Sequence, residues 1–222
     1  MNKLKDKILF IDFDSTFIQV ETIDEIANII LNKNKSKKKL ISQITNDAMS
    51  GKISFAKALD ERLKILEITF EDIESVINIL TEKITSSFQR NKEFIKLYSK
   101  QIWIISGGFN QIINPIVKDF GINSKRVIAN SFLLEKGKII GVDKRNPLSQ
   151  DRGKIKAIKK LNISSESIMI GDGYTDFEVY IENVCNQFIY FSENVLRPEV
   201  ASKAKYIANS FEEVLNIVFN LD

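Results

Sequence analysis

The sequence predicts an α/β protein, a doubly wound parallel sheet with a small all-helical cap inserted after the first strand. Three apolar runs typical of buried strands, at residues 8–11, 102–105 and 168–170, lead into polar residues and then into helical spacing. Residues 36–85 show helical spacing only, with no strand pattern, no repeat and no proline. Strands alternating with helices, interrupted once by helices alone, predict the parallel sheet and its insertion.

The composition limits what chemistry the chain can perform. Its 222 residues allow one full α/β domain and a small accessory one, and 44% hydrophobic and 27% charged residues are ordinary for a globular protein. There is no histidine, which excludes a Ser-His-Asp triad, a phosphohistidine intermediate and a His-rich zinc site. The single cysteine, Cys185, excludes an intrachain disulfide. Any catalysis must therefore rest on carboxylates.

The charge and hydropathy patterns bear on location and partners. No apolar run approaches the roughly 18 residues of a membrane span, and residues 1–7 are polar, unlike a signal peptide. We therefore expect a cytoplasmic protein that does not enter a membrane. The net charge is only +3, and the lysine-rich stretch 33–39 carries no aromatic residue. A solvated helix start or loop explains that stretch better than the alternative, a nucleic-acid-binding tail, and we expect no nucleic-acid partner.

The first strand ends in two acids. Residues 8–11 are uninterruptedly apolar, as in a strand buried on both faces, and Asp12 and Asp14 follow. Ligands of open parallel sheets bind outside the carboxyl ends of the strands. Two neighbouring carboxylates repel each other in a poorly hydrated site, and a divalent cation relieves that repulsion. The alternative is an Asx-type turn that only ends the strand.

The predicted insertion begins with a helix at Thr22, where Glu25 completes a capping box. Further short amphipathic helices are predicted up to about residue 85, with breaks at Gly51 and near Thr69. Their apolar positions, from Phe55 onwards, are most simply explained as core.

Two later strands also end in polar motifs. Ser106, Gly107 and Gly108 follow the second strand directly before a helix, where backbone N–H groups and a hydroxyl can approach an anion. A tight turn alone is the alternative. The third strand leads into G-D-G-Y-T-D, which places Asp172 between glycines and Asp176 four residues later.

The remaining pattern supplies the other elements of the predicted sheet. Val127–Val142 is interpreted as a β-hairpin with its turn at Lys136-Gly137. Short strands are predicted at Phe188–Phe191 and Tyr206–Ala208, and a closing helix at Phe211–Phe219.

The three motifs D-x-D-S-T, S-G-G and G-D-G-x-T-D occur in this order, with a cationic segment between the last two. In this the sequence resembles the haloacid dehalogenase superfamily of phosphohydrolases. The runs D-F-D-S-T, V-E-T-I-D-E-I-A, S-G-G-F and I-G-D-G-Y-T-D are closer still to the phosphoserine phosphatases, over nearly the whole chain. The resemblance implies a Rossmann-like core of residues 1–18 and 86–222 and a helical cap of residues 19–85.

The resemblance also implies roles for the motif residues. Asp12 would attack phosphorus and form an aspartyl-phosphate, and Asp14 would act as general acid and then general base. Mg²⁺ would be held by the Asp12 carboxylate, the Asp14 backbone carbonyl and Asp172. Ser106 and the Gly107 N–H would hold the oxygens of the transferring phosphoryl group.

Three further positions follow from the resemblance. Asp176 would orient the metal site or a cation, and Thr175 would lie beside the substrate. The family places a lysine just before the Gly-Lys that opens a helix, but here that position is Arg152, with Lys154 two residues on. Because arginine can supply the same positive charge, we expect Arg152 to stabilise the phosphoryl group, with Lys154 as the alternative.

The resemblance implies a substrate through four residues of the first motif and cap. Glu21 would bind a substrate ammonium and Arg62 its carboxylate, although spacing alone makes them a solvated acid and a surface arginine. Met49 and Phe55 would close over the substrate. We therefore expect a Mg²⁺-dependent hydrolase of O-phospho-L-serine in serine biosynthesis, a cytoplasmic monomer or homodimer.

Two alternatives to this reading of the resemblance stay open. A related phosphatase or phosphotransferase would act on another small phosphomonoester, such as phosphohomoserine or a phospho-alcohol. A non-catalytic binding module would keep the fold without turnover.

Overall fold

The computed structural model describes residues 4, 6–136 and 138–221 of the chain, without the side chain of residue 138. The strands are β1 (Lys7–Ile11), β2 (Ile102–Phe109), β3 (Val127–Asn130), β4 (Phe132–Glu135), β5 (Lys138–Val142), β6 (Glu166–Gly171), β7 (Gln187–Phe191) and β8 (Tyr206–Ala208). The helices are α1 (Thr22–Ile30), α2 (Lys35–Met49), α3 (Phe55–Ile65), α4 (Phe70–Thr81), α5 (Ser86–Arg90), α6 (Lys92–Leu97), α7 (Asn110–Lys118), α8 (Gly153–Lys159), α9 (Tyr174–Ile181), α10 (Pro198–Ala201) and α11 (Phe211–Phe219).

Six strands form one parallel sheet in the order β3-β2-β1-β6-β7-β8, which confirms the predicted fold class. The chain leaves β1 in both directions, towards β2 and towards β6, so the sheet is doubly wound. Side chains of a strand alternate between its faces, and in β1 Leu9 and Ile11 enter one hydrophobic cluster while Phe10 enters the other. Both faces of the central strand are therefore buried, as its apolar run predicts.

The helices α1 to α4 form the insertion after the first strand. Their breaks lie near Gly51 and Thr69, as predicted, and the side chain of Thr69 forms a capping box with Asp72 at the start of α4. The apolar faces of these helices join the larger hydrophobic cluster of the sheet, which contains Ile26 and Leu59. Burial of these faces, rather than helix propensity alone, holds such short helices in place.

Two linkers join the insertion to the sheet, and they pair with each other. Gln19 N–H donates to the carbonyl of Lys83 at 2.8 Å, and Thr85 N–H donates to that of Phe17 at 3.0 Å. This antiparallel contact lies at the predicted boundaries of the cap, residues 19 and 85. The division into core and cap itself stays a prediction.

The predicted hairpin is wrong in its first half. Val127–Asn130 pairs in parallel with β2 at the edge of the main sheet, and only β4 and β5 form an antiparallel hairpin. The expected turn includes residue 137, which lies outside the described residues. An alternating apolar pattern identifies a strand without identifying its partner, so the run was assigned to one hairpin. Within the described ranges, no helix has the length and hydropathy needed to cross a membrane.

Candidate active site

The three sequence motifs meet at one edge of the sheet. The strands β2, β1 and β6 are neighbours, so Ser106, in the second half of β2, lies together with Asp12 and Asp172, which directly follow β1 and β6. One cavity there is lined by both parts of the chain. The sheet part contributes Asp12, Asp14, Ser106, Gly107, Gly108, Lys154 and Thr175, and the inserted part contributes Glu21, Ile23, Met49, Phe55 and Arg62. The volume in this cavity that is accessible to water is about 20 Å³, room for about one water molecule. The cap residues therefore close over the motif residues.

Three buried carboxylates form an acidic cluster beside this cavity. One oxygen of each of Asp12, Asp172 and Asp176 lies within 4.8 Å of the others. Asp176 thus belongs to the cluster itself, and its Oδ2 accepts a hydrogen bond from Gly173 N–H at 3.1 Å. Burial, followed by repulsion from Asp12, raises the pKa of Asp176 well above its usual value. An all-oxygen donor set with excess negative charge fits a hard divalent cation.

Lys154, not Arg152, provides the cation beside these acids. Its Nζ lies 2.8 Å from Asp12 and 2.6 Å from Asp176, and its side chain is only 7% exposed. Burial lowers the pKa of Lys154, but attraction to the two carboxylates outweighs burial and the pKa is raised. Arg152 instead pairs with Glu182 near the protein surface, with half of its side chain exposed. The geometry therefore favours Lys154 over the expected Arg152.

The different positions of the two cations follow from how α8 begins. Arg152 precedes the helix with a left-handed backbone, φ 58°, whereas Lys154 is the second residue of the helix. The intervening Gly153 lies against Pro147, where a Cβ would be 2.4 Å from the Pro147 carbonyl oxygen. The helix start is thus pressed onto the preceding loop, and only the Lys154 side chain reaches the acids.

Asp14 does not share the acidic cluster. Its Oδ1 accepts hydrogen bonds from the backbone N–H of Thr22, at 3.0 Å, and from the Thr22 hydroxyl. The predicted capping box of Thr22 and Glu25 is therefore wrong, because Glu21 holds the N-cap position and the Thr22 side chain points to Asp14. Burial is the main cause that raises the pKa of Asp14 to about 7, with a contribution from nearby Asp12. A carboxyl group with that pKa can donate and accept a proton near neutrality.

The S-G-G segment lines the cavity and is fixed in place by contacts with its neighbours. The Ser106 hydroxyl accepts a hydrogen bond from Gly108 N–H at 2.9 Å. The ring of Phe55, from the cap, lies so close to Gly107 that a Cβ there would be 2.3 Å from it. Asn130 donates to the carbonyl of Gly107, at 2.9 Å, and to that of Leu148, at 3.0 Å. Asn130, which belongs to none of the sequence motifs, thus links the S-G-G segment to the loop before α8.

Arg62 is a buried residue, only 2% exposed, and not the surface arginine that spacing suggests. Its guanidinium donates to the Thr45 hydroxyl at 3.0 Å, which in turn donates to Asp24 at 2.9 Å. Burial lowers the pKa of Arg62, opposed by attraction to Glu21, Asp24 and Asp14. The guanidinium is thus a cation fixed in the wall of the cavity.

Arg197 also contacts the site, and sequence reasoning missed it. Its guanidinium donates to Asp172 at 2.8 Å, to Glu21 at 3.0 Å and to Asn46 at 3.1 Å. Burial lowers its pKa, but attraction to Asp172 and Glu21 outweighs this and the pKa is raised. No periodicity or motif marks an arginine that precedes a proline 25 residues after Asp172, so the sequence carried no signal for it.

Fold and site together define an α/β protein with a helical insertion, whose buried cavity is lined by carboxylates, a lysine and an arginine. The sequence profile of the haloacid dehalogenase-like hydrolases matches residues 9–180. The chain belongs to this family.

Several proteins of known name are similar to this chain in sequence or in structure. The phosphoserine phosphatase of Drosophila melanogaster is 35% identical over 216 residues, 95% of this chain and 77% of that protein. The human phosphoserine phosphatase is 32% identical over 214 residues, 95% and 92% of the two chains. The crystal structure of a phosphoserine phosphohydrolase-like protein from Francisella tularensis is 31% identical, with a TM-score of 0.87 over 95% of this chain and 99% of that one. A structure described as the phospho-aspartyl intermediate analogue of phosphoserine phosphatase is 27% identical, with a TM-score of 0.77 over 96% and 98%.

Proposed function

We propose that this protein hydrolyses O-phospho-L-serine to L-serine and phosphate through an aspartyl-phosphate on Asp12. The observation that carries the proposal is the shared cavity, in which Asp12 and Asp14 face one acid, Glu21, and one arginine, Arg62. A small cavity with one fixed acid and one fixed cation suits a zwitterionic amino acid whose side chain carries a phosphate. The names of its relatives support the same substrate.

In the proposed mechanism, the Asp12 carboxylate attacks phosphorus and the seryl oxygen leaves. Asp14, with its pKa near 7, donates a proton to that oxygen and then takes one from the water that hydrolyses the aspartyl-phosphate. Lys154 stabilises the negative charge of the phosphoryl oxygens beside Asp12. Ser106 and the backbone N–H of Gly107 would bind the same oxygens.

The acidic cluster fits a divalent cation, and we propose Mg²⁺. The carboxylates of Asp12 and Asp172 would hold it together with the backbone carbonyl of Asp14, with Asp176 orienting Lys154. When bound, this ion supplies positive charge that lets an anionic nucleophile approach an anionic phosphate. The chain's own part is to keep the carboxylates buried, oriented by hydrogen bonds and close together.

Substrate selection rests on residues at the junction of core and cap. Glu21 would bind the ammonium group of the substrate, and its carboxylate is oriented by Ser15 at 2.8 Å and by Arg197. Arg62 would bind the substrate carboxylate, held in place by Thr45 and the carbonyl of Ala58. Met49 and Phe55 would cover the substrate, and Thr175 would lie beside it.

The test is phosphate release, with Mg²⁺, from a panel of small phosphomonoesters. The panel contains O-phospho-L-serine, O-phosphohomoserine, phosphoethanolamine and ethyl phosphate, with Asp12→Asn as the inactive control. We expect the highest kcat/KM for phosphoserine and loss of all release in the control. Preference for a phospho-alcohol would keep the carboxylate chemistry and remove the roles of Glu21 and Arg62 in substrate choice. No release from any ester would contradict the proposal and favour a binding module.

The proposed partner is the small phosphomonoester itself. The cytoplasmic location and the oligomeric state, a monomer or a homodimer, stay predictions of the sequence.

A further inference from the structure

The cavity at Asp12 is closed by the cap, and a phosphomonoester does not fit into about 20 Å³. A substrate therefore reaches Asp12 only when the cap helices move away from the core, a gating step common to capped enzymes. Contacts between cap and core other than the two linkers must break and re-form in each cycle. Residues that make such contacts set how readily the closed state is reached.

One loop of the core contacts the cap helix α3 at two points. We call residues Asp143–Asp151, between β5 and α8, the latch loop. Asp151 Oδ1 accepts a hydrogen bond from the backbone N–H of Ala56 at 2.9 Å, and Lys144 forms an ion pair with Asp60. Ala56 and Asp60 are four residues apart, so they share one face of α3. The two ends of the latch loop thus lie along a single turn of this helix.

Asp151 provides the N-terminus of α3 with a carboxylate, which the first turn of this helix lacks. The first N–H groups of a helix have no partner within the helix, and a negative charge near them is stabilising. The first turn of α3 contains no acid, and the side chain of its N-cap residue Ser54 accepts a hydrogen bond from Lys57 N–H. The carboxylate that serves Ala56 comes from the core, so this helix start is complete only when the cap is closed.

The latch loop also connects α3 to the catalytic groups. The Gln150 side-chain amide donates to the Lys144 carbonyl at 3.0 Å, which holds the two ends of the loop together. Lys154 lies three residues beyond Asp151, and α3 carries both Phe55 and Arg62. One short loop therefore joins the phosphate-binding lysine to the helix that would recognise the substrate.

We propose that the latch loop is a positioning device that holds the cap closed over the substrate through Asp151 and Lys144. Neither residue touches the reacting groups; both act through α3, and the loop thereby sets apparent substrate affinity. In a two-state cap, apparent affinity falls in proportion to the closed fraction. The effect on substrate rests on the proposed function, whereas the contact with α3 does not.

The first test is amide hydrogen exchange in the double variant Asp151→Ala/Lys144→Ala. Exchange in peptides that cover residues 55–62 is expected to become about three- to tenfold faster, since two exposed contacts of modest strength are lost. Arg145→Ala is the matched control, because Arg145 lies in the same loop, is 89% exposed and, among the described residues, forms an ion pair only with Asp143, at 3.0 Å. Equal exchange in the double variant and the control would overturn the latch.

The second test is steady-state kinetics with phosphoserine. We expect KM to rise about three- to tenfold in the double variant with kcat changed less than twofold, and Asp151→Asn, which keeps an acceptor oxygen, to remain near the wild type. A fall in kcat at constant KM would overturn the proposal, because the loop would then act through Lys154 alone. If wild-type protein does not hydrolyse phosphoserine, the proposed function fails, and hydrogen exchange still decides the latch.

Discussion

The choice between Lys154 and Arg152 is the most informative prediction, because the sequence and the structure favour different residues. We compare Lys154→Ala with Arg152→Ala. Lys154 loses two buried contacts, at 2.8 Å to Asp12 and 2.6 Å to Asp176, whereas Arg152 loses one contact at the protein surface. Removing one preorganised charge from a transition state costs about 100- to 1,000-fold in kcat. We therefore expect a loss of that size for Lys154→Ala and less than about threefold for Arg152→Ala.

Folding must be separated from catalysis in this comparison. Breaking a buried ion pair by removing one partner costs about 3–5 kcal/mol, which lowers Tm by roughly 6–20 °C in a chain of this length. A surface pair contributes about 0–1 kcal/mol, so Arg152→Ala should melt near the wild type. Phosphate release is therefore measured at 20 °C, and circular dichroism gives the folded fraction of each variant.

The outcome that refutes the assignment is specific. If Arg152→Ala loses a hundredfold or more in kcat while folded Lys154→Ala stays within tenfold of the wild type, Arg152 is the phosphate-stabilising cation. Lys154→Arg adds a further control, because it keeps the charge but places a larger head group between Asp12 and Asp176. We expect its stability to exceed that of Lys154→Ala.

Three further predictions concern other parts of the site. Arg62→Ala should raise KM for phosphoserine about 10- to 100-fold, because a charged hydrogen bond to the substrate carboxylate is lost. KM for ethyl phosphate, which has no carboxylate, should stay within threefold. Equal losses on both esters would contradict the proposal that Arg62 binds the substrate carboxylate. The pKa of Asp14 is raised to about 7, so the protonated carboxyl group that donates a proton is lost above that pH. Single-turnover release of serine should therefore fall as pH rises through about 7. A rate that stays constant up to pH 9 would contradict this. Gly107→Ala should weaken phosphoserine binding at least tenfold, because its Cβ would lie 2.3 Å from the Phe55 ring. The double variant Gly107→Ala/Phe55→Ala should bind phosphoserine better than Gly107→Ala alone. An unchanged KM in Gly107→Ala would show that the Phe55 ring moves aside without cost.

The sheet and the meeting of the motifs could be predicted from the sequence because both follow from local rules. An apolar run followed by acids places Asp12 at the end of a buried strand, and parallel strands bring Ser106 and Asp172 to the same edge. The closing helix Phe211–Phe219 was predicted with its observed bounds, since its apolar spacing is regular. These features need no knowledge of distant contacts.

The features for which the sequence and the structure point to different residues depend on geometry that spacing does not encode. The position in the motif favours Arg152. Its backbone before α8 is left-handed, however, and its side chain pairs with Glu182, whereas Lys154 contacts the acids. Thr22 fits a capping box by sequence, yet its side-chain hydroxyl donates to Asp14. Arg197 reaches Asp172 through a loop without any recognisable pattern.

The most direct test of the central proposal is to trap the phosphorylated enzyme during turnover. The protein is mixed with Mg²⁺ and O-phospho-L-serine, quenched in acid within milliseconds, and its peptides are analysed by mass spectrometry. We expect one phosphoryl group on the peptide that contains Asp12, formed as fast as serine is released and absent in Asp12→Asn. Serine release without phosphoryl transfer to Asp12, or transfer to another residue, would contradict the proposed mechanism.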